Sequence, residues 1–212
     1  MKLSGGKKKY PIKRIEIEER DPSIFADLAL FFDREDALGD IADLRKSWIG
    51  EKIISHDQID DFINGERSLD EARAFWNKYW PQVYRIAKKY GLRENFVRPI
   101  VAAVLSGVVV EGDYRRAFEQ HPIDNLPDEF RLSEKTVFLS NNVRDIDLRG
   151  LSNKIDDKSI TRIKRDREWY WLYQESGMGY KRLSKAVQEP MQTVRTAINS
   201  YKHRLRDYYR VV

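Results

Sequence analysis

The chain contains no cysteine. A disulfide framework and a thiolate metal site are both excluded, and the composition fits a reducing compartment. Histidine is scarce. His56, His121 and His203 lie far apart in sequence, with no HExxH or comparable ligand spacing. Glycine-rich phosphate loops are missing too. Gly5-Gly6 lacks the pattern, and Gly177-Met178-Gly179 reads as a turn before a helix. The scattered serines form no nucleophile elbow. Long apolar runs are also absent. The most apolar stretch, Ile100 to Val110, is too short to cross a bilayer, and none behind the basic N-terminus suits a signal peptide. The expectation is a soluble, cytoplasmic protein that is not an enzyme, uses no cofactor or metal, and engages no membrane.

Acid pairs are the one feature that points the other way. Asp60-Asp61, Asp145/Asp147 and Asp156-Asp157 are of the kind that hold Mg²⁺ in a metal-dependent nucleic-acid enzyme. Each is read here as a helix-start or surface acid.

What the chain does have is charge, unevenly placed. The net charge is +5, but residues 1–14 carry +6 and residues 154–212 carry +7, which leaves −8 for 15–153. Basic ends concentrate attraction for phosphate backbones, while an acidic middle discourages indiscriminate binding. The two kinds of segment are expected to have separate jobs.

Four segments follow from the pattern. Residues 1–14, with Gly-Gly, a Lys run and a Pro, read as disordered, within a basic flexible arm counted to residue 20. Residues 21–118 read as an acidic helical domain for assembly or partner binding. Asp21-Pro22 suits a capped helix start, with Ile24, Phe25, Leu28, Leu30, Phe31 and Phe32 on its apolar face. A second helix is predicted from Glu35 to Trp48. Ser55/Gln58 and Ser68/Glu71 suit two capping boxes. The second opens a long helix to Gly91 with a kink at Pro81. A nearly all-apolar helix from Arg93 to Leu105 is the predicted centre of the domain. The aromatic residues here, among them Trp48, Phe62, Phe75, Trp76, Tyr79 and Trp80, are at helical spacing and read as core rather than as a stacking surface. Residues 119–153 break the helical pattern at His121-Pro122 and Leu126-Pro127. Thr136 to Leu139 and Val143 to Leu148 suit a β-hairpin. The segment reads equally as a connector or as a small β-element packed on the C-terminal helices.

Residues 154–212 carry the most informative pattern. Ile160, Ile163, Trp169, Tyr170, Leu172 and Tyr173 make a first helix ending at Ser176-Gly177. A short helix from Tyr180 to Gln188 follows, with Leu183 and Val187 inward and Ser184 where the helices approach. After the break Gln188-Glu189-Pro190, a helix over about 191–206 buries Val194, Ile198, Tyr201 and Leu205. This is the spacing of a helix-turn-helix, whose second helix enters the DNA major groove. The outer face of that helix carries Gln192, Arg195, Thr196 and Asn199, which suit base edges. Lys181, Arg182, Lys185, Lys202, His203, Arg204 and Arg206 suit phosphates.

Over about residues 159–208 the chain resembles the tri-helical helix-turn-helix superfamily, as in sigma-factor region 4 and LuxR-type regulators. Gly179, Tyr180, Leu183-Ser184 and Thr193-Val194 fall at matching positions without a gap. Two positions depart from the pattern: Gln188 stands where a Gly is usual, and Glu189 where an apolar residue follows.

The expected architecture is therefore mainly α: a helical N-terminal domain joined through a short extended connector to a self-contained three-helix DNA-binding domain. The expected function is non-catalytic binding of double-stranded DNA as a transcription regulator, with 21–118 serving a homo-oligomer or a protein partner. A DNA-packaging or replication accessory protein of a phage or mobile element would carry the same parts.

Overall fold

The computed structural model describes residues 14–64, 68–92, 94–114 and 157–207. The predicted 136–148 hairpin, the whole 119–153 connector and the Lys-rich segment before Arg14 lie outside the described residues. The fold is mainly α, as the sequence predicts.

The Asp21-Pro22 start is realised. Asp21 Oδ1 accepts from the amides of Ser23 (2.9 Å) and Ile24 (3.2 Å), and α1 runs Pro22–Phe32. That capping satisfies two of the amides a helix start leaves open. Helix α2 spans Glu35–Trp48, and α3, Ile59–Asn64, follows a 3₁₀ turn over His56–Gln58. The expected Ser55 cap does not form. Its hydroxyl bonds the Asp57 carboxylate instead, and no side chain caps that turn. The Ser68 cap does form, with Oγ accepting from the Glu71 amide at 3.4 Å ahead of α4, Leu69–Ala74.

The long helix expected after Ser68 is interrupted just before Pro81. The backbone widens into a π turn over Phe75–Tyr79 and resumes as α5, Trp80–Lys89. Pro81 has no amide hydrogen to continue the α ladder, and a one-turn bulge absorbs the loss. Aromatic rings close around this turn. Trp48 stacks on Phe75 (5.3 Å) and on Tyr79 (4.9 Å), and the Tyr79 hydroxyl donates to the Ser47 carbonyl at 2.8 Å. Helix α6, Val97–Leu105, is buried at every position and forms the centre of the core, as its composition predicts. Each large apolar side chain buried there contributes roughly 1.5–3 kcal/mol.

Part of the segment predicted as a flexible arm, 1–20, is a strand. Glu16–Glu18 forms β1, which pairs in parallel with β2, Val108–Val110, in the register Ile17↔Val109. Ile15 and Ile17 are buried, while Glu16 and Glu18 point outward. This two-residue alternation is a strand signal that the preceding lysines obscure.

The C-terminal helices are α7, Asp157–Ser176, α8, Tyr180–Ala186, and α9, Met191–Asp207. Their apolar side chains do not form one self-contained set. Trp169, Leu183, Val194, Ala197 and Ile198 pack together, whereas Ile163, Tyr201 and Leu205 join the core of the N-terminal helices. Leu172, expected inside, is exposed.

A buried ion pair joins α7 to the N-terminal helices. Arg167 is 1% exposed and Asp33 2%. The Arg167 guanidinium donates to both Asp33 carboxylate oxygens, at 2.8 Å each, and to the Ile15 carbonyl at 2.6 Å. Tyr201 donates to the same carboxylate at 2.6 Å. Burial alone would lower the Arg167 pKa, but the charge and hydrogen bonds of Asp33 outweigh it and raise it. One carboxylate at the end of α1 thus holds both α7 and α9, and three C-terminal side chains, Ile163, Tyr201 and Leu205, belong to the core of the N-terminal helices.

Candidate nucleic-acid interface

The three C-terminal helices lie close to the spans predicted for them, with breaks where breaks were predicted. Gly177, at φ +62, ends α7 in the left-handed region that glycine enters without cost. Gly179 precedes α8, its carbonyl accepting from the amides of Arg182 and Leu183. The turn Val187–Pro190 then leads into α9. Within it Gln188 has φ +54, the one described non-glycine residue with positive φ. This is the position at which the resemblance puts a glycine, so the backbone keeps the left-handed turn without the residue that favours it.

Ser184 serves that turn directly. Its Oγ donates to the Glu189 carbonyl at 2.6 Å, and the Glu189 amide returns to the Ser184 carbonyl at 3.1 Å. Pro190 sits just before α9 rather than inside its first turn, with its carbonyl accepting from the Val194 amide.

Helix α9 has two faces. Val194, Ala197, Ile198 and Tyr201 are buried, and Gln192, Arg195, Thr196, His203 and Arg206 are exposed. Lys181, Arg182 and Lys185 on α8 are exposed as well. The remaining predicted contact residues are half-buried. Asn199 Oδ1 lies 3.5 Å from the Tyr180 hydroxyl. Tyr180 stacks on Tyr173 at 4.8 Å, and the Lys202 ammonium sits 4.8 Å over the Tyr173 ring. Burial and the Tyr173 hydrogen bond raise the Tyr180 phenol, against the lowering effect of nearby Arg195. The flank of α9 toward α8 is therefore organised by two tyrosines. Asn199 does not stand free beside Arg195.

The opposite flank was missed by sequence reasoning. Between α7 and α9 lies a groove of about 610 Å³, lined by Arg162, Arg165 and Asp166 on one side and by Gln192, Thr196 and Arg204 on the other. Arg165 donates Nε and Nη2 to one Asp166 oxygen, at 3.1 and 2.7 Å, and lies 4.7 Å over the Trp169 ring. The signal is present as Arg162 and Arg165, one turn apart on α7, but only the apolar residues of that helix enter the sequence reading.

Of the acids and histidines singled out in the sequence, Asp60 and His56 are held in ion pairs and hydrogen bonds of the helical body. Asp60 bonds Arg98 at 2.8 Å, and Asp61 sits in the first turn of α3. Asp113 bonds Arg98 at 3.2 Å and His56 at 2.8 Å. Among the described residues no group of three or more His, Asp or Glu is placed to hold a metal ion, and no helix is long and apolar enough to cross a membrane. Asp145, Asp147, Asp156 and His121 lie outside the described residues.

No family model, curated protein or solved structure matches this chain.

Proposed function

We propose that this chain is a non-catalytic, cytoplasmic DNA-binding protein, a transcription regulator, that reads the major groove of double-stranded DNA with α9. The observation that carries the reading is the division of α9 into a buried apolar stripe and an exposed face bearing Gln192, Arg195 and Thr196. Amide and guanidinium side chains can each make paired hydrogen bonds to a base edge. The exposed cations Lys181, Arg182 and Lys185 on the preceding helix suit phosphates of the flanking backbone. The acidic helical body would serve self-association or a protein partner.

Selection of bound duplexes from a random pool by the full chain tests this. Enrichment of a motif supports the reading, and a palindromic motif would report a two-fold dimer. A folded chain that enriches no sequence and shifts no duplex sinks it.

A further inference from the structure

We infer that the groove between α7 and α9 seats a phosphodiester of the DNA strand running beside the read bases, an inference that rests on the DNA-binding reading above. The donor set carries it. Arg162 and Arg165 face the groove from α7, and Thr193, Thr196 and Ser200 face it from α9. Guanidinium forks and hydroxyls are the groups that bind phosphate oxygens. The one carboxylate in the groove, Asp166, is 5% exposed and already bonded by Arg165, so its charge is answered within the wall. That bond uses Nε and Nη2 and leaves Nη1 outside it. Trp169 beneath the guanidinium fixes its plane. Arg165 is thus held in position before any ligand arrives.

The place of the groove selects a phosphodiester over a free anion. It shares Gln192 and Thr196 with the exposed face of α9. A strand whose bases meet that face would pass over the groove.

The test uses the full chain and the duplex recovered by selection. Arg162→Gln changes an exposed side chain and should make the log–log salt dependence of affinity shallower by about 0.9, the value for one lost phosphate contact. The preferred sequence should not change. A scan of the duplex with single neutral methylphosphonates should find one position that weakens binding to the wild type and not to Arg162→Gln. Arg165→Gln should abolish the same penalty, with circular dichroism confirming its fold, since it loses contacts to Asp166 and Trp169. An unchanged slope in Arg162→Gln, when Lys181→Ala does lower it, overturns the groove assignment and leaves DNA binding standing. Absence of any duplex binding by the wild type overturns both. Thermal stabilisation by inorganic phosphate alone, without duplex binding, would make the groove a free-anion site and overturns the phosphodiester.

Discussion

Tyr201, in the middle of the candidate recognition helix, donates a 2.6 Å hydrogen bond to Asp33, which ends α1, 168 positions earlier in the chain. The helix proposed to read DNA is therefore fastened to the acidic body by the same carboxylate that binds Arg167.

Removing one partner from that site leaves a charge inside with nothing opposite it. Arg167→Met should destabilise the protein by about 3–5 kcal/mol. The triple variant Asp33→Leu/Arg167→Met/Tyr201→Phe removes the three polar side chains together, leaves only the Ile15 carbonyl without its donor, and should recover part of that loss. Urea unfolding of the two variants checks both expectations. A single variant within 1 kcal/mol of wild type (roughly the median for a surface pair) would mean the ion pair is solvated after all.

The isolated segment 154–212 should not match the stability it has in the full chain. Cut free, it exposes Ile163, Tyr201 and Leu205 and separates Arg167 from Asp33. The expected result is a broad, low-temperature circular dichroism melt. A sharp transition at the temperature of the full chain would show that the smaller set around Trp169 and Ile198 is enough.

Gln188→Gly should stabilise the protein by about 0.5–1 kcal/mol. The left-handed conformation costs an L-residue roughly 1–2 kcal/mol, partly offset by glycine's larger entropy loss on folding. Gln188→Val should move the melting temperature the other way. If both variants lower it, the glutamine side chain holds the turn through contacts of its own.

Alkaline pH should loosen the Tyr201 contact. Burial, and then the charge of Asp33, raise its phenol well above the ordinary value near 10. The unfolded chain gives up this proton from about pH 10 upward while the folded chain keeps it. Stability is therefore intact below pH 10 and falls above it, by up to about 1.4 kcal/mol per pH unit for each such group. Tyr90 and Tyr170 are raised by burial too, so Tyr201→Phe should make the fall less steep by one proton rather than remove it. At neutral pH the same variant should cost about 1.5–3 kcal/mol for the lost bond to a charged group. Equal slopes in wild type and variant between pH 10 and 12 would contradict the assignment.

Arg195→Ala and Lys181→Ala separate reading from holding. The first should cost about 1–3 kcal/mol at the preferred site and relax base preference there. The second should weaken all duplexes alike and lower the salt slope by about one. Fluorescence anisotropy on preferred and scrambled duplexes distinguishes them. Equal losses on both duplexes for Arg195→Ala would place that residue on the backbone instead.

Features set by neighbours in sequence were legible before the structure. Asp21-Pro22 capping, the limits of α2 and the aromatic core around Trp48 depend on local spacing, and each is found where it was expected. Features set by distant partners were not. Arg167 follows Ile163 by four residues on the inward stripe of α7, a place where a charged side chain needs a partner. Nothing nearby names Asp33, 134 positions away. The site divides in the same way. The exposed residues Gln192 and Arg195 follow from the period of α9, whereas Asn199 is drawn in by Tyr180, and the groove needs two helices to be seen at once.

The pairing of β1 with β2 has a consequence for the order in which the protein can be made. Ile17 waits for Val109, and Ile15 for Arg167, 152 residues later. A nascent chain leaving the ribosome can pack β1 on α1 early, but it holds the strand edge unpaired until Val108–Val110 has followed. Contacts of such long sequence separation slow folding, and exposed edges are what chaperones meet. The acidic glutamates at 16 and 18 keep that waiting edge charged until its partner arrives.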